Sequence, residues 1–424
     1  MRHITIFLLA VLPAFAAGQG SFDNYFTGKV LRFDYMLAGN NKKTTVYPVG
    51  MKEEPFYGGS RTNLIDPFNY GNFKYEVFDS TGTRLLYSRG FCTLYQEWQT
   101  TAEAKIIERS FPEVATMPFP KYKVRFVLSQ RIRDGSFEKL YETDIDPEDY
   151  FIRKEKPVEV GVTKIIYSGD PAVNVDLVFI AEGYRADELA KFREDVKRVT
   201  NILLKEAPFS EFRDRFNIWA VEAVSAESGT DVPGENVYVS TIMNSSFYTF
   251  DLDRYLTTQD ILTVNDYAAV VPHDNIVVLI NSPRYGGGGV YNYYSCTTAD
   301  HPLSAHVFVH ELGHGFAGLA DEYYSSTVAY EEFYPLDIEP WEPNITTQVN
   351  FDSKWKKMIN RVVPVPTPAE EKYKGVVGLF EGGGYSAKGI WRPQMECTMK
   401  SNTPGGLCAV CRKAIREMIG FYIK

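Results

Sequence analysis

His310-Glu311-Leu312-Gly313-His314 is the stretch on which the reading of this chain turns. On a helix, residues four apart lie one turn apart on the same face. Both imidazoles therefore reach one metal ion, and Glu311, beside the first of them, falls on the rim of that face. This H-E-x-x-H spacing belongs to helix-borne zinc sites, with the Glu placed to act on a metal-bound water. The flanks read as helix. Ala305, Phe308, Val309, Leu312 and Phe316 make an apolar stripe at helical spacing. Ser304 is the expected N-cap, and Gly315 and Gly318 are the expected terminators, leaving His314 near the C-terminal end.

Two histidines do not complete a catalytic zinc site, which takes three protein ligands and leaves a position open. The chain has only six His. His3 lies in a leader-like segment, which leaves His273, His301 and His306, the last two just before the motif and on the wrong side of the helix. The third ligand is thus expected to be a carboxylate. Metzincin-type sites continue H-E-x-x-H-x-x-G-x-x-H, the glycine turning the chain back to the metal. Those positions here are Ala317 and Ala320. A shift of one residue restores the pattern with Gly318 and Asp321, so Asp321 is the predicted ligand and Glu322 the alternative. A methionine turn beneath the metal is sought in Cys397-Thr398-Met399-Lys400-Ser401-Asn402, with Met399 under the histidine rings.

Around this centre the chain divides into two regions. With 424 residues, 44% apolar and 23% charged, it is long enough for two or three globular domains. Residues 21–155 read as an all-β sandwich. Leu31, Phe33 and Tyr35 alternate with Arg32 and Asp34, and Asp79-Ser80-Thr81-Gly82 and Arg133-Asp134-Gly135 are turn signals between strands. This region is expected to position substrate or to serve as a packing accessory. A charged segment with Pro157 marks the boundary. Residues 160–424 then read as α/β or α+β with a mixed sheet. The run Val175 to Ile180 suits a buried strand. Leu189, Phe192, Val196, Val199 and Leu203 follow at helical spacing, and Phe216–Val224 and Ile276–Ile280 are further strands. The loop at Ser225 to Asn236 holds Glu227 and Asp231, a weak pattern for calcium. Gly286-Gly287-Gly288-Gly289 is expected to turn into a strand at Val290 to Tyr294, an edge able to receive a peptide by strand addition.

Residues 1–18 carry the marks of an export signal: Arg2 and His3, an apolar core from Ile4 to Leu12, and the small-x-small site Ala14-Phe15-Ala16. That core is too short to span a bilayer, and no second long apolar run follows. The protein is expected to be exported, whether secreted, periplasmic or at the cell surface, without a membrane span. The net charge of −9 and the lack of a basic stretch argue against a nucleic-acid partner. Nothing in the residues bears on oligomeric state. Of five Cys, Cys397 is expected to bridge to Cys408 or Cys411 and tie down a C-terminal helix.

The residues from His310 to Tyr323, with Tyr385, Trp391-Arg392-Pro393, Cys397-Thr398-Met399 and the upstream Val178-Phe179-Ile180-Ala181-Glu182-Gly183-Tyr184, resemble the bacterial IgA-peptidase family of zinc metallopeptidases. The resemblance covers roughly residues 165–424, and the β-rich front half is similar to the N-terminal domain often found with that family. It implies a zincin-like catalytic domain, one Zn²⁺ and endopeptidase activity on protein or peptide substrates, without carrying over immunoglobulin as substrate. In the mechanism expected of such a site, His310, His314 and Asp321 hold zinc and Glu311 is the general base. Tyr323 and Tyr385 are candidates for oxyanion or substrate contact. The rival readings are an exported zinc amidohydrolase acting on other amides and a binding or adhesion protein with a vestigial zincin domain.

Overall fold

Alternating apolar side chains build two facing sheets in the first third of the chain. In a computed structural model, residues 22–325, 333–401 and 405–424 are described; the expected export signal and Asn402 lie outside them. A short helix, α1 (Phe22–Tyr25), leads into β1 (Phe26–Gly39). It is followed by β2 (Thr44–Glu54), β3 (Phe73–Asp79), β4 (Leu85–Phe91), α2 (Leu94–Gln99), β5 (Arg109–Pro120), β6 (Val124–Arg131), β7 (Phe137–Ile145) and the two-residue β8 (Ile152–Arg153). One sheet runs β5-β1-β2-β8 and the other β4-β3-β6-β7. Phe33 on β1 meets Phe126 on β6 edge-on, at 5.3 Å between ring centres, so the inner faces are sewn together by aromatics. The region is not purely β: Thr93 Oγ1 accepts the Gln96 N–H and starts α2.

The polar face of β1 departs from the sandwich expectation. Arg32 and Asp34 are 1% and 3% exposed rather than solvated. The second half of the chain packs over them. Arg32 reaches Asp34 at 2.5 Å, Glu54 at 3.3 Å and, across the boundary, Asp266 at 2.7 Å. Burial lifts the Glu54 carboxyl to about 7 against the pull of Arg32 and Lys52. Arg89 similarly crosses over to Asp274 O and Asn292 Oδ1. The two halves thus share one continuous apolar core.

The second half is built on a six-stranded mixed sheet. β9 (Gly161–Ile166), β10 (Val175–Glu182), β11 (Phe216–Glu222), β12 (Asn275–Ile280), β13 (Gly287–Val290) and β14 (Tyr294–Thr298) are arranged β13-β14-β12-β10-β11-β9. The four inner strands are parallel; β13 and β9 are antiparallel edges. Every residue of β10 and β12 is buried, as expected of parallel strands covered on both faces. The helices are α3 (Leu189–Leu203), α4 (Ile261–Ala268), α5 (Ser304–Ala317), which carries the histidine motif, and α6 (Ala409–Tyr422), with the hairpin β15 (Phe380–Gly383) and β16 (Ser386–Arg392) between the last two. Phe316 on α5 stacks on Tyr422 of α6. No helix of the described residues is long and apolar enough to cross a membrane. The mixed α and β content, with several sheets, gives a β-rich N-terminal region followed by a region of helices around a mixed sheet.

Two local expectations change. The predicted strand at Val290 to Tyr294 is instead the turn of a hairpin, because the glycines themselves form β13. Part of its outer edge is already paired, with Gly287 O accepting from Leu256 N at 3.1 Å.

Candidate metal centre

The helix that carries the histidines owes its position to glycine. α5 crosses directly over β13: a Cβ on Gly289 would lie 2.2 Å from Glu311 O, and one on Gly287 would lie 2.8 Å from Glu311 Cγ. Gly315, expected as a terminator, lies within the helix, where a Cβ would meet Ser295 Oγ at 2.3 Å. Ser304 is likewise not the cap. Leu303 holds that position without a side-chain bond, and Ser304 Oγ is engaged by Arg198 at 3.2 Å. The helix ends at Gly318, whose φ of +60° suits glycine. Gly318 N bonds to His314 O at 3.0 Å, the bond of a left-handed helix cap, and Leu319 N bonds to Gly313 O at 3.1 Å.

That turn brings the chain back along the helix. His314 Nδ1 lies 2.5 Å from Leu319 O, and His310 Nδ1 lies 3.0 Å from Thr398 O. Facing carbonyl oxygens, both Nδ1 atoms must carry the protons, so both Nε2 atoms of the neutral rings carry lone pairs. These Nε2 atoms are 3.1 Å apart. Asp321 Oδ1 is 3.0 Å from one and 3.3 Å from the other. With both rings neutral, three acceptors converge with no proton among them, and Asp321 Oδ1 is buried without a hydrogen-bond partner. A cation at the centre relieves that arrangement. Bonds of about 2.0–2.1 Å in tetrahedral geometry put ligand atoms about 3.3 Å apart, close to the edges of this triangle. The donor set, two imidazoles and a carboxylate, suits zinc.

The electrostatics agree with a site made for positive charge. Burial opposes ionisation of Asp321, yet the two imidazoles hold its carboxyl far below the usual range. Burial also opposes a charge on His310, but Asp321 outweighs it and pushes the ring up to about 10. Glu311 is raised by burial, while both histidines pull it down. Tyr385 OH donates to Asp321 Oδ2 at 2.7 Å, which turns Oδ1 toward the histidines. Its backbone is held at φ +66°, an uncommon conformation outside glycine. Tyr323 lies beside Asp321 and Arg254, with its ring 5.5 Å from that of Tyr385. Met399 is fully buried under the turn joining the two histidines. Its Sδ is 2.9 Å from where a Cβ on Gly313 would sit.

A cavity of about 320 Å³ opens over these groups, lined by His310, Glu311, His314, Asp321, Tyr323 and Tyr385. Its far wall includes Asn72, Gln96 and Glu97 from the β-rich N-terminal region, and also Arg254. None of these wall residues was singled out by sequence. They stand on loops and on the short helix α2, where no spacing marks them.

Other candidates are placed elsewhere. Glu322, the alternative ligand, points away from the histidines: it is fully buried, with Oε1 3.3 Å from Cys411 Sγ. The expected bridge from Cys397 is absent, all five cysteines being free thiols. Calcium finds no support. Asp231 Oδ1 accepts from Val239 N at 2.8 Å and Glu227 Oε2 from Ser240 N at 2.7 Å, bracing their own loop. Among the described residues, neither joins a group of metal-ligating side chains. His306 bonds to Ser401 O at 3.3 Å and His301 Nδ1 accepts from Leu303 N at 3.1 Å, both outside the triangle.

Comparison with known families yields two matches. The family described as IgA Peptidase M64 matches residues 163–374 and 369–419, more than half of the chain. The family described as Peptidase M64 N-terminus matches residues 21–142, spanning most of the two facing sheets. No curated protein matches the chain.

Proposed function

The chain belongs to the IgA peptidase M64 family of metallopeptidases, and from that premise we propose that it is an exported, zinc-dependent endopeptidase with a zincin-type catalytic domain. The observation that carries the reading is the triangle of His310 Nε2, His314 Nε2 and Asp321 Oδ1, with edges of 3.0–3.3 Å, beside the Glu311 carboxylate. His310, His314 and Asp321 are the ligands. Zinc held by these residues would supply an acidified water and a Lewis acid for the scissile carbonyl.

The remaining steps belong to the protein. Glu311 accepts the proton of the attacking water and delivers it to the departing amine. Burial favours its protonated state in the second half of that cycle. Tyr385 positions Asp321, and the carbonyls of Thr398 and Leu319 hold each imidazole in the tautomer that offers Nε2. Tyr385 or Tyr323 serves the oxyanion by exchanging its contact with Asp321 for one with substrate. A peptide lies across the cavity between β13 and the wall from the N-terminal region, which makes that region part of the substrate cleft. The signal-like residues 1–18 support export.

The test is a mass-spectrometric digest of a mixed peptide library, run beside glycopeptides, with wild-type protein and Glu311→Gln at matched zinc content. Endoproteolytic products from wild type alone are expected. Cleavage by Glu311→Gln at the wild-type rate overturns the mechanism, and cleavage confined to glycan-linked amides overturns the substrate class.

A further inference from the structure

Behind the cavity lies a second convergence of ligand atoms that the peptidase chemistry does not use. Cys397, Cys408, Cys411 and Glu322 are all buried, with sulfurs and one carboxylate oxygen within 4.8 Å of one another. Cys397 Sγ is 3.8 Å from Cys411 Sγ. Glu322 Oε1 is 3.3 Å from Cys411 Sγ and 3.7 Å from Cys408 Sγ. A tetrahedral zinc with bonds of about 2.3 Å to sulfur and about 2.0 Å to oxygen separates its sulfurs by about 3.8 Å and places oxygen about 3.5 Å from sulfur. The Cys397–Cys411 separation and both Glu322-to-sulfur distances are close to those spacings. A disulfide needs its sulfurs at about 2.05 Å.

We propose that these four side chains hold a second zinc ion, structural rather than catalytic. Four protein ligands leave no open position for water, as in closed zinc sites, and thiolates favour zinc over calcium or magnesium. The surroundings are arranged for anionic sulfur. Cys408 N–H points to Cys397 Sγ at 3.2 Å, and Cys411 N–H points to Cys408 Sγ at 3.4 Å. Cys408 caps α6 and Cys411 lies in its first turn, so the positive end of the helix dipole faces the thiolates. Asn344 Nδ2 donates to Glu322 Oε1 at 3.1 Å, while Glu322 Oε2 is buried without a partner.

The four ligands come from three segments that frame the catalytic centre. Glu322 follows Asp321. Cys397 precedes Thr398, whose carbonyl holds His310, and Met399, which packs under α5. Cys408 and Cys411 open α6, which lies against α5. A zinc here clamps together the loop, the turn and the helix on which the first metal site depends.

The test begins with metal analysis of the full, untagged chain. Two zinc per chain are expected, one released by an organomercurial that titrates thiolates. Refolding with cobalt should produce thiolate-to-cobalt charge-transfer absorption in the near ultraviolet. Cys411→Ser should lose one zinc equivalent and that band. The double variant His310→Ala with His314→Ala should keep one zinc and the band, which separates this site from the catalytic one. One zinc in wild type that disappears with the histidines, a Cys397–Cys411 disulfide in the peptide map, or iron as the thiolate-bound metal overturns the proposal. Should Cys411→Ser fail to fold, the cobalt spectrum of the wild-type chain decides.

Discussion

Asp321 and Glu322 are adjacent in the chain and face opposite ways: Asp321 Oδ1 approaches the Nε2 atoms of His310 and His314, and Glu322 Oε1 enters the cysteine cluster. The backbone at these two residues is held on both sides. Glu322 N bonds to Met399 O at 2.8 Å, and Gly384 N bonds to Asp321 O at 2.9 Å. Asp321→Ala is therefore expected to lower zinc occupancy of the histidine site with no rescue by Glu322. Undiminished metal content at that site in the variant contradicts the ligand assignment.

Glu311→Gln keeps the size of the side chain and removes its basicity. Turnover is expected to fall by about 10²–10⁴-fold, the usual contribution of a positioned base, with zinc content and melting temperature unchanged. Peptide cleavage kinetics alongside metal analysis check this.

Tyr385→Phe removes the bond to Asp321 Oδ2. Loss of such an outer hydrogen bond typically weakens metal binding or activity by about 10–100-fold. A chelator competition titration reads the affinity. Unchanged affinity together with a lower kcat would move Tyr385 from positioning Asp321 to direct contact with the reacting carbonyl.

Gly289→Ala places a methyl group 2.2 Å from the Glu311 carbonyl oxygen, a backbone atom that cannot swing aside. The helix must shift, and overpacking of this kind costs about 1–3 kcal/mol. Thermal denaturation should show the loss. Gly135→Ala serves as a control for the steric effect, since nothing lies within 4 Å of its added Cβ, although its φ of +85° carries backbone strain of its own.

Asp176 and Asp274 form a buried acidic pair away from the metal centre. Burial raises Asp176 to about 7, against hydrogen bonds from Trp219 and Asn217 that pull it down. Burial and then the charge of Asp176 push Asp274 up as well. A folded-state pKa above the unfolded value of about 3.9 means the folded protein binds the extra proton between those values. The stabilisation is full below about pH 4 and is lost as pH rises through about 7. Asp176→Asn should flatten that decline, which approaches about 1.4 kcal/mol per pH unit for one proton. Urea titrations at several pH values measure it, and parallel slopes for variant and wild type contradict the assignment.

What the residues alone determined is local. The spacing of His310 and His314 commits them to one helical face whatever surrounds them, and a glycine at 318 turns the chain back within one residue, bringing Asp321 into range. The run at Val175–Ile180, apolar but for Asp176, reads as a buried strand because its side chains leave neither face suited to water. Tertiary structure decided what depends on distant partners. Arg32 and Asp34 alternate like a solvated strand face, and only the packing of Asp266 over them makes that face interior. The glycines of β13 resemble a loose turn until α5 is laid across them. Asp321 or Glu322 could each have met the histidines by spacing, and the pairing with Met399 and Gly384, some sixty to eighty residues away, set which one did. The cysteines suggested a bridge because sequence supplies their number and not their separation; at 3.8 Å between sulfurs, with a carboxylate among them, their geometry is that of ligands.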